Sequence, residues 1–399
     1  MGYLGRSPTP SPIDSSDIPD DSIDASKIID GAIAVADVAD NAITEAKIAD
    51  AAVVSLKSGR KNLIINGAMK VAQRGTSFTN VANNALLLDR WKFKKDNTDQ
   101  LVAGITQDSN APSGFQSSLK YTTSTVETAL AADEQVALMQ YFEGQDISGF
   151  AYGTADAKTI TASFWVKSTL VGVYGVWAYV ADTNKDTGST YTINVANTWE
   201  YKTITFPANT AGTCNYDNTL GFLLSFTLDA GTDLKTTNNT TWASSATGRK
   251  AYGHTASLIT TSSSTWQIAG VQLELGSVAT DFEHRSYGEE LALCQRYFAS
   301  IKGSTSGYGS ALAVIGTTHA YGQLAVLPVT MRTTPTCTTS GTWQTHKPTG
   351  SALQSVSVSL IGGITQVSGY IEVAGGLVAG DASLPNFNAS HTVQADAEL

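Results

Sequence analysis

Between residues 18 and 53 an aliphatic side chain recurs at every fifth position. Five helical steps turn the chain by about 500°, and five strand steps reverse the face, so neither element gathers these residues into one stripe. One chain has too few of them to bury a core by itself, and repeats of this kind do so by stacking. The pattern predicts a thin stalk made of several copies of the chain. The aliphatic residues expected to face its axis are Ile23, Ile28, Ile33, Val38, Ile43 and Ile48.

The stalk lies between two segments of different composition. Residues 1–17 contain three prolines among serines and threonines, which disfavour a helix and favour an extended chain. Tyr3 and Leu4 supply two apolar anchors, so this segment is either a peptide that docks on a partner or a floppy tail. Residues 55–60 have the composition of a hinge, so that stalk and hinge together occupy 18–60.

The region 61–285 contains short runs in which apolar and polar residues alternate, as they do in strands with one buried face. Because clusters of Gly, Asn, Asp and Thr separate the runs, the region predicts an antiparallel jelly-roll sandwich. The predicted strands are 63–65, 159–167, 171–179, 201–207, 220–228 and 266–275. One further run, 127–141, is rich in good helix formers and predicts a short helix.

The last region, 286–399, begins with helix formers and acidic residues, so that 287–298 predicts a short connector helix. Strand-like runs follow at 322–329, 356–361 and 369–374. A region of about a hundred residues can hold its own core. We expect a small C-terminal β-sandwich here and a mainly β fold overall.

Charge and composition narrow the possible partners. Charged residues make up 15% of the chain and the formal net charge is −10, so electrostatics favour neither nucleic acid nor anionic lipid as a partner. No apolar run approaches the length of a membrane span, and no secretory signal is visible. We expect a product made in the cytoplasm, without membrane insertion.

The sequence lacks the motifs of common catalytic, metal and cofactor sites. Its five histidines do not have zinc-site spacing, its three cysteines lie far apart, and no phosphate-binding glycine loop or G-x-S-x-G turn occurs. We expect no enzyme, no metal site and no cofactor. The alternative is glycoside cleavage by paired carboxylates, for which the local candidates are Asp133–Glu134, Asp281 with Glu283, and Glu289–Glu290.

Tryptophans are well suited to sugar binding, because a flat ring stacks on the apolar face of a pyranose. Three of them lie inside alternating apolar runs and are expected in the core: Trp165, Trp177 and Trp266. Three others lie among Thr, Asn and Ser, where surface exposure is more plausible: Trp199, Trp242 and Trp343.

Several short blocks, spread in order over residues 61–340, resemble a family of bacteriophage tail-fibre proteins. They include N-L-I-I-N-G at 62–67, D-R-W at 89–91, Q-L-E-L-G at 272–276, C-Q-R-Y-F at 294–298 and M-R-T-T-P-T at 331–336. The first and third blocks also look like the opening and closing strands of jelly-roll carbohydrate-binding modules. The stalk is similar to repeats in phage head and tail fibres, and residues 1–5 look like the start of short-tailed phage fibres.

The resemblance implies a homotrimeric fibre whose N-terminal peptide, with Tyr3 and Leu4, attaches to a phage tail or adaptor protein. The stalk, the jelly roll and a distal tip would follow in that order. Carbohydrate modules of this shape often hold a structural calcium ion, with an acidic ligand just after the opening N-G. Here Ala68, Met69 and Lys70 follow, which puts that ion in doubt.

Three functions are compatible with these patterns: a virion tail fibre that binds a host-surface glycan, a fibre that cleaves glycans, and a head fibre or adaptor without a receptor site. We favour the first, with receptor binding by the distal 286–399 region. Polar-tipped aromatic residues among Gly, Ser and Thr make good contact surfaces, and three copies add avidity. The candidate contacts are Tyr308, His319, Tyr321, Trp343 and His346.

Overall fold

The computed structural model describes residues 60–98, 100–303, 312–341, 343–348, 352–386 and 391–399. The predicted attachment peptide, the predicted stalk and Tyr308 lie outside the described residues. The described part of the chain is mainly β, as the sequence predicts. No helix within it is long and apolar enough to cross a membrane.

Twelve strands build a β-sandwich. They are β1 Ser77–Phe78, β2 Lys92–Asp96, β3 Val102–Asp108, β4 Ser118–Thr125, β5 Gln135–Glu143, β6 Ile160–Ser168, β7 Gly172–Val180, β8 Lys185–Ile193, β9 Glu200–Phe206, β10 Leu220–Ala230, β11 Ala243–Ser244 and β12 Thr265–Leu275. Sheet 1 has the order β1-β3-β4-β12-β6-β9, and sheet 2 has the order β11-β8-β7-β10-β5-β2. All the pairings are antiparallel. Short 3-10 helices lie at Gly144–Phe150, Thr232–Lys235 and Thr247–Arg249.

The core of the sandwich lies between the two sheets and is rich in aromatic rings. Phe164 of sheet 1 meets Phe226 of sheet 2 edge to face, with ring centroids 5.0 Å apart. Trp266 is fully buried, as the sequence predicts, and its indole N–H donates to the Tyr191 hydroxyl at 3.0 Å. A buried indole that keeps its hydrogen bond adds large apolar area without a desolvation penalty.

The opening segment around Asn62 does not form the strand predicted at 63–65. Instead the Asn62 side chain replaces part of a strand ladder: its amide donates to the Val271 carbonyl at 3.2 Å and its oxygen accepts from Leu273 N–H at 3.1 Å. Gly67 packs so closely on β12 that a Cβ there would lie 2.1 Å from the Val271 oxygen. Because a side chain and not a backbone ladder makes these bonds, the segment does not show the alternation of apolar and polar residues that marks a strand in the sequence.

The helix predicted at 127–141 is wrong, because residues 135–141 belong to strand β5 and residues 127–134 are turns and irregular chain. Val136 and Leu138 face the main core, whereas Ala137 and Met139 are buried in a separate apolar cluster on the other face. A strand that is buried on both faces reads as a continuous apolar run, which periodicity cannot distinguish from a buried helix.

The C-terminal region begins with helix α1, Tyr287–Gln295, close to the predicted connector helix, and Ser286 caps it by accepting from Glu289 N–H. The strands that follow are β13 Phe298–Lys302, β14 Leu312–Ile315, β15 His319–Val326, β16 Thr336–Ser340, β17 Gln344–His346, β18 Ala352–Gly362, β19 Gln366–Val373, β20 Ala382–Asn386 and β21 Thr392–Asp396.

These strands form a three-stranded sheet, β13-β21-β16, and a closed barrel, β14-β15-β19-β18-β17-β20, where the sequence predicts a second sandwich. Closure arises because β20 pairs with β14 on one side and with β17 on the other. A closed sheet has no unpaired edge, which stabilises short strands that a small sandwich would leave exposed.

Candidate functional site

The outer face of sheet 1 carries an open groove of about 410 Å³. Strands β6, β9 and β12 form its floor, and the segment after β12 forms a wall. The lining residues are Ser163, Trp165, Tyr201, Gly270, Ala279, Thr280, Asp281 and Phe282. Such a volume lies within the range of small-ligand sites and suits one or two sugar rings better than a large cofactor.

Two aromatic rings form the floor of the groove. Trp165 on β6 pairs directly with Tyr201 on β9, and the ring centroids are 5.3 Å apart with the planes tilted by 51°. Tyr201 is 44% exposed and Trp165 is partly exposed. The prediction that Trp165 belongs to the core is therefore wrong, because the alternation of β6 turns Phe164 and Val166 inward and leaves Trp165 facing outward.

Strand β12 holds the wall of the groove in place through two buried polar side chains, Gln272 and Glu274. The Glu274 carboxylate accepts from Thr280 N–H at 2.9 Å and from the Thr280 hydroxyl at 2.6 Å. The Gln272 side-chain oxygen accepts from Glu283 N–H at 2.8 Å. These bonds give the Q-L-E-L-G block a structural role, since they fix residues 280–283 beside the aromatic floor.

An aromatic cluster adjoins the wall. Phe115 lies 4.9 Å from the Phe282 ring and 5.3 Å from the His284 ring, measured between centroids. Phe115 also packs over Gly270, where a Cβ would lie 2.4 Å from the ring. Gly270 has φ +60° and lies in the irregularity of β12 between Ala269 and Gln272. Glycine permits both this conformation and this close approach.

A cationic group lies beside the groove on the same strand as Trp165. The Lys167 ammonium donates to the Asn110 side-chain oxygen at 2.7 Å and lies 5.1 Å from the centre of the Trp199 ring. The Trp199 indole N–H donates to the same Asn110 oxygen at 3.1 Å. Burial lowers the pKa of Lys167 from its ordinary value.

Two of the residues predicted to bind a receptor lie together on the outside of the barrel. His319 and Tyr321 on β15 form a patch with Tyr370 on β19, with ring centroids 5.0 to 5.9 Å apart. The Glu372 carboxylate lies 3.9 Å from the His319 Nε2. Tyr370 is not among the residues predicted from the sequence, because only the pairing of Tyr321 with Tyr370 brings it to the patch.

Two other residues predicted to contact a receptor do not join this patch. Trp343 is 1% exposed and packs in the barrel core, where its indole N–H donates to the Thr339 hydroxyl at 2.8 Å. The prediction that Trp343 contacts a ligand is therefore wrong, because the ring is buried and a nearby threonine, not a ligand, accepts its hydrogen bond. His346 lies on β17, partly buried.

Two of the carboxylates considered for glycoside cleavage, Glu283 and Glu290, have structural partners. Glu283 accepts from Asn62 N–H at 2.9 Å and pairs with Arg285 at 3.2 Å. Glu290 pairs with the same guanidinium at 3.2 Å and accepts from Asn66 N–H at 2.6 Å. Within the described ranges no group of three or more His, Cys, Asp or Glu side chains is placed to hold a metal ion.

No protein-family model and no curated protein matches the chain. Solved structures that resemble it include the enzymatically active domain of tailspike protein 4 of bacteriophage CBA120, with 12% identity over 49% of this chain and 21% of that chain and a TM-score of 0.27. The family 11 carbohydrate-binding module of a cellulosomal cellulase of Clostridium thermocellum shows 10% identity over 51% of this chain and 98% of that chain, with a TM-score of 0.27. A xylan-binding domain of a Paenibacillus barcinonensis protein shows 9% identity over 51% and 94%, with a TM-score of 0.23. At these TM-scores the likenesses assign neither a family nor a ligand.

Proposed function

We propose that this chain is the subunit of a virion fibre and that the groove on sheet 1 binds a glycan. The observation that supports glycan binding is the pair of outward-facing rings, Trp165 and Tyr201, at the floor of an open groove. Rings in this position would gain by covering their apolar faces with the C–H face of a sugar. Around them Ser163, Thr280 and Asp281 supply polar groups for its hydroxyls.

The fibre role rests on the sequence. The five-residue aliphatic repeat favours a stalk of several chains, and the resemblance to tail fibres favours three, with the N-terminal peptide on a tail or adaptor protein and localisation in the virion. A single shallow groove binds sugars weakly, so three copies on one fibre would raise the effective affinity for a glycan-coated cell.

Binding is a better proposal than cleavage. Glycoside hydrolysis needs two carboxyl groups about 5 to 10 Å apart across the scissile bond. Asp281 is the one carboxylate among the residues that line the groove. Of the neighbouring acidic residues, Glu274 accepts from the backbone and the hydroxyl of Thr280 in the wall, and Glu283 accepts from the Asn62 backbone N–H. We therefore propose a binding protein rather than an enzyme.

A second candidate for the receptor contact is the barrel patch of His319, Tyr321 and Tyr370. It is favoured by the mutual contact of three rings on the outside of a strand pair, with Tyr321 38% exposed. It lies in the 286–399 region, to which the sequence assigns the distal tip. We rank it below the groove as a glycan site, because the rings of the groove lie at the floor of a concave volume of about 410 Å³.

The test compares single alanine variants of the full chain for binding to a panel of immobilised glycans and for competition with phage adsorption. Trp165→Ala and Tyr201→Ala should each weaken binding at least about tenfold, because stacked aromatic anchors carry much of the energy of such interfaces. Tyr216→Ala is the matched control, since Tyr216 is 46% exposed and does not line the groove.

The outcomes separate the two surfaces. If Tyr321→Ala abolishes adsorption while Trp165→Ala leaves it unchanged, the receptor site belongs to the barrel and the groove proposal is wrong. Unchanged binding for all of the variants would contradict both candidates.

A further inference from the structure

Lys167 differs from Lys120 and Lys202, two other lysines on the strands of sheet 1. Lys120 pairs with Asp108 at 3.2 Å and Lys202 pairs with Glu200 at 2.7 Å, so both of these ammonium groups are neutralised within the protein. Lys167 forms no ion pair with any described residue, and its hydrogen-bond acceptor is the neutral amide of Asn110.

The Asn110 amide also holds Lys167 in a defined position. Its side-chain oxygen accepts from both Lys167 and Trp199, so the ammonium is fixed between an amide and the face of an indole. The side-chain entropy that a flexible lysine loses on binding a ligand is therefore already partly lost. A preorganised cation without a carboxylate partner is suited to binding an anion.

The distance from Lys167 to the aromatic floor determines where a bound sugar would have to carry an anionic group in order to contact the ammonium. Trp165 and Lys167 are two residues apart on β6, so both point to the outer face and lie about 7 Å apart along the strand. That distance is comparable to the length of one sugar unit. A saccharide stacked on Trp165 would place its neighbouring unit, or a charged substituent of its own ring, beside the ammonium.

We propose that the groove selects acidic glycans, in which an anionic substituent next to the stacked sugar pairs with the Lys167 ammonium. This inference rests on the proposed function of the groove and specifies its ligand class. The formal net charge of −10 means that the chain as a whole does not attract polyanions. Selectivity for acid must therefore come from this local contact, and a single residue controls it.

Both carboxylates and sulfates fit the same contact, so the experiment uses matched pairs of probes. Polygalacturonate is compared with its methyl ester, and dextran sulfate with dextran, by titration with the full-length protein. Wild type should prefer at least one acidic member about tenfold, the value of one charge-assisted hydrogen bond. Lys167→Gln should lose this preference, Lys167→Arg should keep most of it, and Lys120→Gln should retain it as the control for general loss of positive charge.

Each result has one meaning. Preference for polygalacturonate identifies a carboxylate as the anion, and preference for dextran sulfate identifies a sulfate. Equal binding of the acidic and neutral members, with Trp165→Ala still abolishing binding, would overturn the inference and leave glycan binding intact. An equal loss in Lys120→Gln and Lys167→Gln would also overturn it. If no glycan binds in a Trp165-dependent manner, the proposed function itself falls.

Discussion

Asp229 and His254 are buried side by side in the sandwich, with 3.9 Å between a carboxylate oxygen and Nε2. Burial raises the pKa of Asp229 from its ordinary value of 3.8 to about 6, although Ile259 and Ala230 donate backbone N–H groups to it. Burial lowers the pKa of His254 from 6.5 to about 3. His254 accepts from Gly175 N–H and its other ring nitrogen faces the Ala256 carbonyl, so the neutral ring suits both bonds.

These two residues should affect stability in opposite directions as the pH falls. Between pH 6.5 and 3 the unfolded chain protonates His254 and the folded chain does not, so this residue removes stability on acidification. Between pH 6 and 3.8 the folded chain protonates Asp229 and the unfolded chain does not, so Asp229 restores stability. The contribution of each residue to stability can be measured by replacing it with asparagine, which does not titrate and can still form hydrogen bonds.

Thermal unfolding of His254→Asn and Asp229→Asn, each compared with wild type at the same pH, tests these signs. The Tm of His254→Asn minus that of wild type should rise as the pH falls from 6.5 to 3. The corresponding difference for Asp229→Asn should fall as the pH drops from 6 to 3.8. Differences that change in the same direction would show that the two sites do not titrate as described.

Among the strands, β12 supports the groove through its irregularity at Gly270. Alanine there would need φ +60° and would bring its Cβ within 2.4 Å of the Phe115 ring. Left-handed backbone alone costs about 1 kcal/mol for a residue with a Cβ, and moving the ring costs more. We expect Gly270→Ala to lower the free energy of unfolding by at least about 1 kcal/mol and to weaken glycan binding as well, because Phe115 packs on the groove wall.

Gly288 in the first turn of α1 provides the control. A Cβ there meets nothing within 4 Å and its φ is not positive. Gly288→Ala should therefore be neutral or stabilise by up to about 1 kcal/mol, as helix propensity predicts. Chemical denaturation of both variants measures the difference. Equal stability of Gly270→Ala and Gly288→Ala would show that a side chain at position 270 causes no strain in β12.

The strands also show what the sequence could predict. The strand-like runs in the sequence predict β6, β7, β9, β10 and β12 to within a few residues. Alternation divides the side chains of a strand into two sets but does not determine which set faces the core. The sequence alone therefore places Trp165 on the wrong face of β6. The groove needs β6, β9 and β12 to be neighbours, yet 36 and 105 positions separate Trp165 from its lining partners at 201 and 270. Such long-range pairing is decided by the packing of the whole sandwich, which no local pattern contains.

At the scale of the whole molecule, the C-terminal tail fastens the barrel region to the sandwich. The Glu398 carboxylate pairs with the buried Arg90 and lies 3.5 Å from Arg74, which also pairs with Asp396 at 2.9 Å. The Arg90 guanidinium lies over the Tyr297 ring, 3.4 Å from its centre. Coulombic attraction to Glu398 opposes the desolvation of Arg90, whose pKa is raised.

Removing the charge of Glu398 should loosen this junction. Glu398→Gln leaves the buried Arg90 without its carboxylate, which typically costs about 3 to 5 kcal/mol. Thermal unfolding should show a large loss in Tm, and limited proteolysis should cut near residues 296–298, between α1 and β13. Glu289→Gln is the control, since Glu289 is exposed on the first turn of α1. Equal effects of the two variants would mean that the junction does not depend on this pair.

The largest scale is that of the assembled fibre, for which the stalk makes the prediction. If the five-residue repeat packs around an axis, Ile33→Asp with Ile43→Asp would place carboxylates in an apolar seam, where each costs several kcal/mol unless it is neutralised. In sedimentation experiments the wild-type chain should be a trimer at micromolar concentration, and the double variant a monomer.

The monomer should keep the Tm of the sandwich and its affinity for a soluble oligosaccharide, because the groove lies within one chain. Its binding to a glycan-coated surface should nevertheless fall by a factor of about 100 or more, since avidity needs linked copies. A wild-type chain that sediments as a monomer would refute the stalk, and a trimeric double variant would place the contacts between chains elsewhere.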